Sequence, residues 1–283
     1  MTFDPASLLS PEPLRWLTGA LAAAVIACGA RRARALSTGG AVAATLLGAV
    51  IVGAGGWWAG VLLVAFFVTS STLSRLGRDH TTVAAARGSR RDAVQVAANG
   101  GVAGLCALLA LGDGASWWLL ALAGSLAAAN ADTWSTEIGR ASARPPRLIT
   151  SGRRVPPGTS GAISARGTAG ALAGGALLGL LTALGTWQGW IAIEAGALAT
   201  LLAVTLAGFA GSLLDSLLGA TIQHQLWCPI CDTQTERAIH RCGTPARHLR
   251  GWRWVTNDVV NLACISTGAL LAPVVTLFLD RLI

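Results

Sequence analysis

The sequence predicts an all-α polytopic membrane bundle of about eight spans, with seven as the alternative count. Three observations carry that prediction. Of the 283 residues, 53% are hydrophobic and only 12% charged, with a mean hydropathy of +0.59, which sets the chain apart from ordinary soluble domains. Its apolar runs reach the roughly 20 residues that a helix needs to cross a hydrocarbon core. Its 35 glycines, with abundant Ala and Ser, suit helices that approach closely within a membrane. Residues 1–283 read as one membrane domain, with a Cys/His loop at 226–254 inserted between the last two spans.

By hydropathy the spans fall near 14–30, 38–55, 57–73, 92–112, 116–138, 166–186, 190–220 and 257–279. The first ends in V-I-A-C at Cys28, a faint likeness to a lipoprotein cleavage box. Its positive cluster, Arg31, Arg32 and Arg34, follows the apolar run. A signal sequence has the opposite polarity, so this is read as a retained helix. Four loops, Arg31–Arg34, Arg75–Arg91, Arg140–Arg166 and Arg237–Arg253, hold 19 of the 21 basic residues, all of them Arg. Uncharged or acidic connections alternate with them, and Trp57, Trp58, Trp117, Trp118, Trp187 and Trp190 mark the opposite span ends. The positive-inside rule and the aromatic belt therefore agree: Arg-rich loops cytoplasmic, both termini outside, in a multi-pass inner-membrane protein. That reading explains the net charge of +8 without invoking nucleic acid. No repeat is evident to support a transporter built from duplicated halves.

Polar residues collect at the cytoplasmic ends. Asp92, Gln95 and Asn99 share a helix face at the start of the fourth span, either as interhelical glue or as part of a site. Asn130, Thr133 and Glu137 make a second stripe, with Asp132 beside it. A carboxylate so near a membrane core calls for a metal or a charged partner, and hard oxygen ligands suit Mg²⁺ shared with phosphates; an ion pair with a loop arginine is the alternative. The next loop carries Arg153, Arg154, Gly158, Thr159, Ser160, Gly161 and Ser164, all types that approach phosphate oxygens closely, although no Walker sequence is present. In the seventh span Gly208, Gly211, Ser212, Asp215 and Gly219 share a face. At the mouth of the eighth, Asn257, Asp258 and Asn261 adjoin, with helix capping the simpler role for Asp258. Cys228, Cys231, His240 and Cys242 match a closed Cys₃His zinc set, although the H-x-C pair is unusual for zinc and a redox C-x-x-C stays open.

Several of these stretches together resemble the integral-membrane family numbered 92 among domains of unknown function. The matching segments are Q-V-A-A-N-G-G at 95–101, A-A-N-A-D-T-W-S-T-E-I-G at 128–139, P-P-G-T-S-G-A-I-S at 156–164, G-S-L-L-D-S-L-L-G-A at 211–220, and H-R-C-G with N-D-V-V-N within 240–261. The likeness spans about residues 38–279. Ala162 and Ile163 stand where the family loop has Gly and Val, and Arg75 or Arg78 where it has lysines. The characterised plant members of that family are phytyl-phosphate kinases, so the resemblance implies an isoprenyl-monophosphate kinase using a nucleoside triphosphate, CTP or ATP. Asp132, Glu137, Asp215 and Asp258 would then hold Mg²⁺ and orient the acceptor. Gln95, Asn99, Asn130, Thr133, the 153–164 residues named above, Ser212, Asn257 and Asn261 would bind lipid phosphate and nucleotide. Nucleotidyl transfer to a lipid phosphate, and a transporter or flippase for a lipid or anionic solute, are the competing expectations. A homo-oligomer is left open.

Overall fold

The computed structural model describes residues 11–76, 90–114, 116–236 and 238–282; Arg78 and most of the Arg75–Arg91 loop lie outside them. Among the described residues seven helices follow in order: α1 (Pro11–Arg32), α2 (Thr38–Leu76), α3 (Ala93–Asp113), α4 (Ser116–Arg140), α5 (Ala165–Trp187), α6 (Ala197–Thr221) and α7 (Asn257–Leu279). Short strands lie between them: β1 (Arg147–Leu148), β2 (Ala162–Ile163), β3 (Gln225–Cys228), β4 (Thr233–Thr235) and β5 (Arg247–Arg250). Strands β1 and β2 pair with each other, and β3 sits between β4 and β5, all antiparallel.

Helix α2 is two spans. Gly56 leaves helical geometry at φ 87°, ψ 173°, a conformation open to glycine. A Cβ placed on Gly48 would lie 3.9 Å from Leu63 Cδ2, whereas a straight helix would separate those positions by about 22 Å. The chain therefore reverses there, and the bundle has eight arms, as the hydropathy predicts. The seventh predicted span is corrected at its start, from residue 190 to Ala197. The 188–196 stretch is a compact connection. The amide of Trp190 donates to Gly185 O at 2.8 Å, Gly189 is left-handed, and Ile191 and Ile193 are buried. Hydropathy cannot tell a tucked apolar loop from a helical turn.

The element order brings the 33–37, 141–164 and 222–256 connections to one end of the bundle. There Ser37 N donates to Arg91 O, Arg75 to Ala33 O and Arg166 to Ala141 O. At the other end Trp58 Nε1 donates to Leu181 O, and its ring packs at a 50° tilt against Trp190, with 4.8 Å between centroids.

Helix α4 is the hub. Among the described residues six helices, all but α4, are long and apolar enough to cross a membrane by length and composition. Yet α4 has an unbroken buried run from Leu119 to Ala131, walled by α2, α3, α5, α6 and α7. Glycines make this fit possible: Gly174 lies against Asn130 O, Gly208 against Ala127, and Gly268 against Gly124. A helix wrapped by protein needs no apolar outer face, so it can carry the acids that a lipid-facing helix cannot.

Candidate functional site

The site is built on two faces of the last turns of α4. At about 100° per residue, Asp132, Ser135, Thr136 and Gly139 fall on one side, while Asn130, Trp134 and Glu137 fall on the other. The second side faces α2. Asn130, fully buried, accepts from Thr69 and Ser70 and donates to Gly174 O at 2.8 Å. Glu137 accepts from Ser74 Oγ at 2.9 Å and pairs with Arg140 at 3.2 Å. The Thr133 hydroxyl donates to its own helix at Ala129 O. The predicted Asn130–Glu137 stripe is thus a helix–helix seam, and Asp132 points away from it.

Helices α6 and α7 bring their polar residues to the level of Asp132. A Cβ on Gly211 would lie 2.7 Å from both Ala128 Cβ and Cys264 O, so the three helices cross at residues 128, 211 and 264. One turn from that crossing, toward the arginine-rich end, come Asp132 on α4, Asp215 on α6 and Asn261 on α7. Ser212 and Asn261 are buried in this interface. Thr256 caps α7, its hydroxyl accepting from Val259 N, so Asp258 sits inside the first turn and the capping role falls to its neighbour.

The Pro156–Ser164 segment closes over these acids. Gly158 and Gly161 adopt φ 86° and 80°, and Gly161 lies so close to Ala220 that a side chain would meet α6. Thr159 donates to Pro156 O, and Ser160 Oγ donates to Gln223 Oε1 at 2.6 Å. Ser164 caps α5, accepting from Gly167 N at 3.1 Å. Arg250, on β5, holds the assembly together: its guanidinium donates to Ala220 O at 2.7 Å, Gly219 O at 2.9 Å and Ser160 O at 3.4 Å. Ala220 O and Gly219 O are among the last carbonyls of α6, where a cation is favoured, and Ser160 O belongs to the loop that packs on them. Burial lowers the pKa of Arg250.

Together these elements enclose a polar cavity of about 170 Å³, lined by Asp132, Ser135, Thr136, Arg140, the 157–162 loop, Ser164, Asp215, Ser216, Asn257 and one wall of the Cys/His loop. That wall supplies Gln223, Gln225, Gln234, Thr235 and Glu236. Gln225 is buried, and its Nε2 has no hydrogen-bond partner among the described residues. An amide donor buried without a partner is costly, and it suits an anionic ligand in the cavity. Sequence reasoning passed over Ser135, Thr136, Ser216, Arg250 and the glutamines. The alternation of Gln223 and Gln225 beside the cysteines was the available signal.

Other predicted residues lie elsewhere. Arg153 and Arg154 are exposed in the β1 turn, outside the cavity lining. Asp92 and Gln95 form a capping box at the start of α3, and Asn99 Nδ2 donates to Gln95 O at 2.8 Å. Gln95 and Asn99 border a different cavity of about 590 Å³, lined by α1, α2 and α3 and otherwise almost wholly apolar.

Cys228, Cys231, His240 and Cys242 meet at the tip of the Cys/His loop, their ligand atoms within 4.8 Å of one another. Hydrogen bonds with Thr244 and His240 pull the Cys242 thiol down to about 6, while the nearby Cys242 pushes Cys231 up to about 11. His224 and His248 stack on each other at 5.3 Å and are not part of this cluster.

Residues 21–269 match the family described as integral membrane protein DUF92. The chain belongs to this family. It is 32% identical over 235 residues to Protein PGR of Arabidopsis thaliana, covering 76% of this chain and 80% of that protein. It is 30% identical over 214 residues to an uncharacterized membrane protein of Synechocystis, covering 73% and 69% respectively. The match to Protein VTE6, chloroplastic, of Arabidopsis thaliana is 30% over 148 residues, 52% of this chain and 35% of that protein. No solved structure matches the chain.

Proposed function

We propose that this DUF92 protein is a membrane-embedded isoprenyl-monophosphate kinase whose reaction centre is the polar cavity at the arginine-rich end of the bundle. The observation that carries the reading is the convergence of Asp132 and Asp215 with the glycine-bearing 157–162 loop and the α5 N-terminus in one cavity. Phytyl-phosphate kinase activity among plant members supplies the reaction class. By the positive-inside rule this end is cytoplasmic, where nucleoside triphosphates are.

The donor set fits Mg²⁺, which takes hard oxygen ligands from one or two carboxylates and shares phosphates. Asp132 and Asp215 would hold it, and bound metal would neutralise charge on the transferring phosphoryl group. The chain's own share is positioning. Backbone amides of Gly158, Ser160 and Gly161, with those at the start of α5, would offer an anion site, and Ser135, Thr136 and Gln225 line the same cavity. A lipid phosphate oxygen attacks the terminal phosphorus of the nucleotide, the bond to the β-phosphate oxygen breaks, and nucleoside diphosphate leaves with prenyl diphosphate formed. A cavity of about 170 Å³ is below the roughly 300–1,000 Å³ of whole-ligand pockets. It therefore takes the phosphates, with nucleoside and lipid tail outside it.

The test is incubation of the purified protein with prenyl monophosphates, Mg²⁺ and γ-labelled CTP or ATP, with mass spectrometry of the lipids. Label on the lipid as a diphosphate is expected. Label released as pyrophosphate would instead indicate nucleotidyl transfer, and transport into liposomes without nucleotide would indicate a carrier.

A further inference from the structure

We propose that Cys228, Cys231, His240 and Cys242 bind one structural Zn²⁺ ion, and that this ion fixes the wall of the polar cavity formed by the β3–β4 hairpin. Cys228 Sγ lies 3.5 Å from Cys242 Sγ, and His240 Nδ1 lies 3.2 Å from the same sulfur. Tetrahedral zinc with bonds near 2.3 Å to sulfur and 2.0 Å to nitrogen sets its ligands about 3.5–3.8 Å apart, so these atoms stand near coordination distance. All of the loop cysteines are free thiols.

The backbone repeats one device at both ligand pairs. Asp232 follows Cys231 at φ 51°, and Gly243 follows Cys242 at φ 82°. Each left-handed residue turns the chain just after a thiol, so that both pairs face a common centre. The His240–Gly243 turn is closed by Gly243 N donating to His240 O at 2.9 Å. Among the described residues, no backbone hydrogen bond joins this turn to the Cys228–Asp232 turn; the two meet through the four side chains. A redox C-x-x-C usually opens a helix, which lowers its thiol pKa. Here Cys228 ends β3, Cys231 lies in a turn, and β4 follows. The same hairpin pairs Trp227 with Gln234 and Leu226 with Thr235, which puts the metal a few residues from the cavity wall.

The experiment uses the full chain purified in detergent without chelator. Elemental analysis is expected to find about one zinc per chain. Titration with p-hydroxymercuribenzoate, read by a zinc indicator, is expected to release it while amide exchange over residues 223–236 accelerates. The double variant Cys231→Ser, Cys242→Ser should retain less than about a tenth of the metal. Where that variant does not accumulate, the wild-type titration decides the matter. The proposal is overturned by metal-free protein with natively alkylatable loop thiols, by a Cys228–Cys242 disulfide, by iron in place of zinc, by zinc retained in the double variant, or by release that leaves exchange over 223–236 unchanged.

Discussion

Two cavities at opposite sides of α4 differ in character, and the larger of the pair holds less of the chemistry. The cavity among α1, α2 and α3 measures about 590 Å³ and carries polar groups only at its rim, at Thr69, Arg91, Gln95 and Asn99. The cavity beyond α4 measures about 170 Å³ and gathers Asp132, Asp215 and Glu236 with hydroxyls and amides. The difference follows from what surrounds each. Leu14, Leu17, Leu21 and Val25 of α1 and Val94, Leu105 and Leu108 of α3 are exposed, so this half of the bundle presents apolar side chains outward. An acid there would meet hydrocarbon without partners. Helix α4 is enclosed by protein, and its acids can be met by amides, hydroxyls and a metal. Shielding from lipid, more than volume, decides where ionisable chemistry can reside.

The sharpest way to break this contrast is to neutralise one acid on each face of α4. Asp132→Asn is expected to lower lipid-phosphate kinase turnover by about a hundredfold or more, since charge stabilisation carries phosphoryl transfer, with the folded yield unchanged. Glu137→Gln, five residues on but facing α2, should change turnover by no more than about threefold. Equal losses in both would show that the two faces of α4 do not differ in function. The next largest effect tests the shielding itself. Gly211→Val drives a branched side chain into Ala128 and Cys264 O, and overpacking of this kind is expected to destabilise by about 3 kcal/mol. A thermal melt in detergent that is unshifted would mean that the α4–α6–α7 crossing is looser than its geometry.

How much of this could be read from the chain depended on the range of each signal. Span number and the Gly56 reversal are local: hydropathy and a run of glycines mark them. That Asp132 and Asp215 belong together was legible from the shared end of their spans. Which side of α4 each residue takes was not, because Asn130, Thr133 and Glu137 form as good a stripe as Asp132, Ser135, Thr136 and Gly139. Only neighbours choose between two stripes on one helix. Arg250 shows the same limit. Among 21 basic residues nothing local marks the one that reaches the α6 carbonyls, because that contact joins strand, helix end and loop across about thirty and ninety residues.

Arg250→Ala sharpens the comparison at the cavity's rim. It removes donors to Gly219 O and Ala220 O, and charge-assisted hydrogen bonds of this kind support a loss of about 2 kcal/mol. Loosening should concentrate in residues 156–164 and 219–236, visible by hydrogen exchange, while α1–α3 keep their protection. Arg250→Lys should recover only part of the loss, since one ammonium cannot reproduce the fork of a guanidinium.

The smallest effect belongs to the apolar cavity. Asn99 spends its side-chain donor on Gln95 O within its own helix, an interaction that adds little to a span whose backbone is already satisfied. Asn99→Ala is expected to leave both turnover and melting nearly unchanged, within about twofold and about 0.5 kcal/mol. If turnover instead falls tenfold or more, the rim at Arg91, Gln95 and Asn99 handles substrate. The two cavities would then be stations on one path across α2, and the contrast between them would become a division of labour.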